Sequence, residues 1–159
     1  MTRRMKNGIA LIAILALCFA VSGLGALSTM SSVDTWYATL AKPPFNPPDW
    51  VFGPVWTLLY AMMAVAAWRV WREPRTPPRN LGLVMFWIQL SLNLAWSILF
   101  FGMRSPVTAL FCILMLLLAI IVTLRSFFRV DRVAGWLLVP YLAWVSFATV
   151  LNASIWYLN

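Results

Sequence analysis

Four side chains able to orient a bound molecule, Gln89, Asn93, Trp96 and Ser97, recur at helical spacing and so share one stripe of a single helix. Trp56, Tyr60, Tyr141, Trp144 and Asn152 add further indole, phenol and amide groups inside apolar runs. An amide set in hydrocarbon must find a protein partner, because lipid offers none. Two readings follow. The stripe either holds helices together through interhelical hydrogen bonds, or it lines an aromatic-walled pocket in which amides orient a large planar ligand.

Other chemistry is sparse. The chain has no histidine, and its four acids, Asp34, Asp49, Glu73 and Asp131, fall in connecting segments or at the ends of apolar runs. Ion-coupled carriers bind their ion through ionisable groups within the membrane, so a coupled pump is not expected. A catalytic centre built on paired carboxylates or histidine lacks its parts. Cys18 and Cys112 stand alone in separate apolar runs, which leaves no metal shell to close and no disulfide framework. We therefore expect no metal site and no required cofactor.

The elements that must position these groups are set by composition. Of 159 residues, 63% are hydrophobic and only 10% charged, more apolar surface than one soluble core of this size can hide. Apolar runs predict five membrane-spanning helices, at residues 8–30, 51–71, 81–101, 106–124 and 133–158, in a single all-α membrane domain. The first run also carries the pattern of a secretory signal peptide, with Arg3, Arg4 and Lys6 ahead of it, but it is longer than a typical signal core. Its pairs Ala16 with Ala20 and Ser22 with Ala26 offer small-residue packing surfaces.

The connection at residues 31–50 is long and holds Pro43, Pro44, Pro47 and Pro48, which fix backbone angles and make a stiff lid. Asn46 is expected to cap the second helix, with both following prolines in its first turn. Ten of the Lys and Arg residues fall on one side of the alternating spans, and only Lys42 and Arg104 on the other. That bias predicts a cytoplasmic amino terminus, with the carboxyl terminus and the lid outside, for insertion in an inner membrane. Because these charges sit at span ends, the net +8 implies no nucleic-acid partner; the lipid bilayer is the expected one. Of ten tryptophans, Trp36, Trp50, Trp71, Trp136 and Trp156 suit an interfacial belt, whereas Trp56, Trp96 and Trp144 are among those that lie within the spans, alongside the amides.

The segment Trp36 to Tyr60, WYATLAKPPFNPPDWVFGPVWTLLY, resembles the translocator protein family, the tryptophan-rich sensory proteins of bacteria and the mitochondrial peripheral benzodiazepine receptors. The match extends to Asn93-Leu94-Ala95-Trp96-Ser97 with Phe100-Phe101-Gly102, and to Val139-Pro140-Tyr141-Leu142-Ala143-Trp144 with Phe147-Ala148-Thr149 and Leu151-Asn152. The resemblance implies a five-helix bundle, commonly a homodimer, that binds porphyrins such as protoporphyrin IX or haem between its helices. Animal members also bind cholesterol. Carried over by motif, the ligand-binding positions are Tyr37 in the lid and Pro47 at its end. They continue with Trp56 and Tyr60 in the second helix, Asn93, Trp96 and Ser97 in the third, and Trp144, Ala148 and Leu151 in the fifth. The sterol motif of animal members is incomplete, since no basic residue follows Tyr141 or Tyr157.

Three functions remain open on these grounds. The first is a receptor, sensor or transporter-like protein for tetrapyrroles and similar planar ligands. An enzyme for light- and oxygen-dependent porphyrin breakdown, with Trp56 and Trp144 as participants, is the second. The third is a structural membrane partner without ligand turnover.

Overall fold

The computed structural model describes residues 2–159, and among these residues five helices are long and apolar enough to cross a membrane. They are α1 (Arg3–Met30), α2 (Phe52–Trp71), α3 (Pro77–Ser97), α4 (Pro106–Val130) and α5 (Arg132–Leu158). α1 touches α2 and α3, α2 touches α5, and α4 lies between α3 and α5, so the helices close a ring in the order α1, α2, α5, α4, α3. Direct contact between α2 and α3 is slight, and that is where the ring has room inside.

The helices run past the ends of the apolar spans, which alters the expected bounds. Residue 81 is inside α3, whose start lies at Pro77: Thr76 Oγ1 accepts from the Arg79 backbone N–H at 3.4 Å, and two prolines occupy the first positions, where a missing N–H costs nothing. α4 continues beyond residue 124 to Val130 and carries Arg125 and Arg129. Long cationic side chains reach water from a helical backbone, so polarity marks the membrane boundary and not the helix end. Asp131 then ends α4 and caps α5, its Oδ1 accepting from Val133 N–H at 2.8 Å and Ala134 N–H at 3.2 Å. Its Oδ2 takes the Arg69 Nε donor at 2.9 Å and ties α2 to this turn.

The segment between α1 and α2 is structured and departs from expectation. A single π turn covers Val33–Tyr37, and a 3-10 turn at Asp49–Val51 leads into α2. Asn46 caps nothing there: Pro48 precedes the 3-10 turn in extended backbone, and Asn46 Oδ1 instead accepts from the Tyr37 hydroxyl at 3.0 Å. A buried phenol must find an acceptor, and Tyr37 is 4% exposed.

Packing between α3 and α4 is close, and a Cβ added at Gly82 would lie 2.9 Å from Phe127 Cδ1. Phe86 stacks on the same Phe127 ring at 6.2 Å between centroids. Trp50, Trp71, Trp136 and Trp156 face outward as a belt requires. Trp36, expected among them, is half-buried and rests edge-on against Phe100 at 5.7 Å. Trp87 is also turned outward.

Candidate functional site

The amide stripe of α3 is committed to a hydrogen-bond chain through the middle of the bundle. Tyr60 on α2 donates to Asn93 Oδ1 at 3.2 Å, and Asn93 Nδ2 donates to the Tyr141 hydroxyl on α5 at 2.8 Å. Tyr141 donates in turn to Gln89 Oε1, whose amide nitrogen faces Met63 Sδ at 3.8 Å. Gln89, Asn93 and Tyr141 are at most 1% exposed. Three helices are thereby fastened at one depth by groups that have no other partner in hydrocarbon. A second tie lies nearer the lid: Trp96 Nε1 donates to Asn152 Oδ1 at 3.0 Å, and Asn152 Nδ2 donates to the Pro106 carbonyl at 2.8 Å.

Above this chain, on the side of residues 31–50, α1, α2 and α3 enclose a cavity of about 350 Å³. Tyr37, Phe52, Trp56, Tyr60, Trp96 and Phe101 give it aromatic walls, and Asn93 and Ser97 lie on the α3 side. A smaller void of about 30 Å³ adjoins it towards α5, lined by Trp144, Ala148, Leu151 and Asn152. Tyr37, Phe52, Trp56, Trp96 and Phe101 border both, so these five rings partition one site into two lobes.

The site residues expected from sequence are therefore distributed unevenly. Six of them (Tyr37, Trp56, Tyr60, Asn93, Trp96 and Ser97) line the large lobe, and Trp144, Ala148 and Leu151 line the small one. Pro47 borders neither; its carbonyl accepts from Asn46 Nδ2 at 3.2 Å. Sequence reasoning missed the α1 wall, formed by Ser22, Gly25, Ala26, Thr29 and Met30, together with Phe52 and Phe101. Ser22 and Ala26 carried a signal as a small-residue pair, but the pair lines the cavity and does not fill it.

The lid is held from several directions. Its π turn sets Ser32 so that Oγ donates to the Phe101 carbonyl at 2.7 Å, on a second π turn (Ile98–Gly102) that ends α3. Such widened turns recur at functional sites. Tyr37 packs against Phe101 at 5.6 Å, and Lys42 Nζ stands 4.7 Å over the Tyr37 ring. Burial pushes the Tyr37 hydroxyl up to about 12, helped by the nearby Asp49 charge and opposed by the Asn46 hydrogen bond. The phenol is thus a fixed neutral donor.

Trp144 Nε1 has no hydrogen-bond partner among the described residues. Its ring meets Phe52 at 5.8 Å and Phe147 at 5.6 Å. Among the described residues no three His, Cys, Asp or Glu side chains converge. What the arrangement can do is enclose an apolar, flat molecule between indole and phenyl faces, with phenol, hydroxyl and indole donors at its edges.

Comparison with known proteins bears on the whole chain. It is 46% identical to the tryptophan-rich protein TspO of Chlorobaculum tepidum, covering 97% of this chain and 98% of that one. Identity is 41% to the tryptophan-rich sensory protein of Cereibacter sphaeroides, over 91% and 88% of the two chains. The human translocator protein is 42% identical over 76% of this chain and 73% of its own. With the family model matching residues 13–158 as well, this multi-pass membrane protein belongs to the TspO/MBR family.

Proposed function

We propose that the protein is a membrane receptor for planar hydrophobic ligands of the tetrapyrrole class, bound between α1, α2 and α3 beneath the lid. The observation that carries this reading is the cavity of about 350 Å³ with six aromatic rings in its wall and one charged side chain, Asp49, at its lid end. Its size lies at the lower end of small-molecule sites, about 300–1,000 Å³. A tetrapyrrole is wide, so it fills both lobes only when the dividing indoles of Trp56 and Trp96 swing aside. Trp96 is restrained by its bond to Asn152, whereas the Trp56 indole nitrogen has no hydrogen-bond partner among the described residues and its ring is held only by packing on Tyr60 and Tyr141, so Trp56 turns at less cost.

The test is titration of the purified protein in nanodiscs with protoporphyrin IX, read by quenching of indole emission. Trp56→Ala removes one of the five rings shared by both lobes and should weaken binding about tenfold, the loss expected for one aromatic stacking contact of roughly 1–1.5 kcal/mol. Unchanged affinity in the folded variant would remove the large lobe from consideration.

A further inference from the structure

We infer that the ligand enters the cavity sideways from the lipid, through a gap between α1 and α2, and not through the lid; this rests on the reading of the cavity as a ligand site. α1 is held at two places. At the basic end Trp68 Nε1 of α2 donates to the Asn7 carbonyl at 2.8 Å, and Ile14 and Cys18 are buried in the core. Farther along, α1 closes on α3, where a Cβ added at Gly25 would lie 3.2 Å from Ser97 Oγ.

Towards α2 no such closure exists. Ala26 and Met30 on α1, and Gly53 and Thr57 on α2, border the cavity and are also exposed on the outside of the bundle. Met30 is 74% exposed. A Cβ added at Gly53 would meet nothing within 4 Å. Residues that face both the interior and the outside mark an opening. Ala26 and Thr57 stand several residues inside the apolar runs 8–30 and 51–71, so the inner part of the gap faces acyl chains and not water.

In the lid the exposed residue that borders the cavity is Asp49, whose carboxylate makes a poor threshold for an apolar molecule, and the rest of the segment is tied down. Ser32 is bonded to Phe101, Tyr37 to Asn46, and the Asn159 side chain both accepts from Ala41 N–H and donates to Ala41 O at 3.0 Å. A flat, apolar molecule is concentrated in the bilayer, and a side gap at that depth spares it passage through water. The portal therefore matches the chemistry of the ligand that the cavity walls select.

The kinetic test places bulk in the gap with Ala26→Phe combined with Thr57→Phe, and follows protoporphyrin IX association and dissociation in nanodiscs by stopped-flow indole quenching. An obstructed portal raises the barrier in both directions, so both rates should fall about tenfold or more, the span within which mutational changes in association rate commonly lie. Asn159→Ala, which unfastens the lid from its far end, should leave the association rate as it was. An unchanged association rate in the paired phenylalanine variant, or a faster one in Asn159→Ala, overturns the lateral route.

A second measurement needs no ligand. Lipids brominated on their acyl chains quench indoles that they touch, and Trp56 stands in the cavity wall behind the gap. The paired variant should retain more tryptophan emission than the parent protein in such lipids, and that difference should vanish in a Trp56→Phe background. Equal quenching with and without the two phenylalanines overturns the portal. Portal-dependent quenching with no protoporphyrin titration would instead count against the tetrapyrrole reading alone.

Discussion

Tyr141→Phe isolates what the polar chain contributes to the bundle. The hydroxyl accepts from Asn93 Nδ2 at 2.8 Å and donates to Gln89 Oε1, so deleting one oxygen breaks two bonds and orphans a donor and an acceptor. The ring stays: Tyr141 is 0% exposed, and its edge contact with Trp56 at 6.4 Å is preserved by phenylalanine, so no large cavity opens. Interhelical hydrogen bonds in membranes average about 0.6 kcal/mol and reach roughly 1–2 kcal/mol in model systems. Two bonds then give roughly 1–4 kcal/mol. The upper part of that range is expected, because neither orphan can reach water at this depth. Unfolding by increasing dodecyl sulfate in mixed micelles, followed by far-ultraviolet circular dichroism, measures it. Tyr141 borders neither lobe, so protoporphyrin affinity of the folded variant should shift less than that of Trp56→Ala. A variant as stable as the parent would refute the claim that this chain fastens α2, α3 and α5.

Gly82→Ala should cost about 1–3 kcal/mol through overpacking, since its Cβ would press on Phe127 from 2.9 Å, and Phe127→Leu in the same chain should recover part of the loss in the same unfolding assay. Asp131 is held below the usual carboxylate range: burial acts to raise it, but the Ala134 and Val133 N–H groups and Arg69 outweigh that effect. Its folded value is lowered, so its contribution is present above the unfolded value of about 4 and fades as pH falls through the folded one. Melting temperatures between neutral and acidic pH should therefore converge for the parent and Asp131→Asn only at the acid end. Tyr37, raised from 10.0 to about 12, has the opposite sign, and its contribution to lid order is whole below pH 10.0 and declines as pH rises towards about 12. Tyrosinate absorbance compared between the parent and Tyr37→Phe should show no ionisation of this residue at pH 10.

Much of the architecture was legible because the bilayer imposes a length on apolar runs. Each of the five spans read from sequence overlaps one helix, and the errors lie at the ends, where Arg79, Arg125 and Arg129 are helical although charged. The inward stripe of α3 was legible for a similar reason, since amides at helical spacing must share a partner face. What periodicity could not decide was whether those amides serve the ligand or the fold. Asn93 is bonded to Tyr60 and Tyr141, which depends on two residues distant in the chain. The α1 wall escaped notice because small residues look alike whether they receive a neighbouring helix or leave a space. Gly25 does the first against Ser97, and Ala26, one position on, does the second. Asn46 was misread as a cap because its local sequence suits that role, whereas the buried Tyr37 hydroxyl nine residues earlier claims its oxygen.

The two readings of the amide stripe turn out to describe one object from opposite sides. Tyr60 and Asn93 belong to the hydrogen-bond chain and also line the large lobe, so the polar layer is the cavity's floor. A floor of satisfied polar groups resists an apolar ligand moving deeper, because breaking any bond there leaves a group unpaired in hydrocarbon. Tyr60 to Asn93 is the looser of the two bonds that Asn93 makes to tyrosine, 3.2 Å against 2.8 Å, and the Asn93 carbonyl oxygen keeps a second lone pair. A ligand carrying a ring N–H can therefore be accepted at the floor without undoing the tie that holds α2 to α3. Replacing Asn93 by aspartate keeps that acceptor but loses the donor to Tyr141, whereas leucine loses both. If ligand contact matters at this position, the aspartate variant should bind protoporphyrin more tightly than the leucine variant at equal folded fraction. Equal affinities would confine Asn93 to the fold.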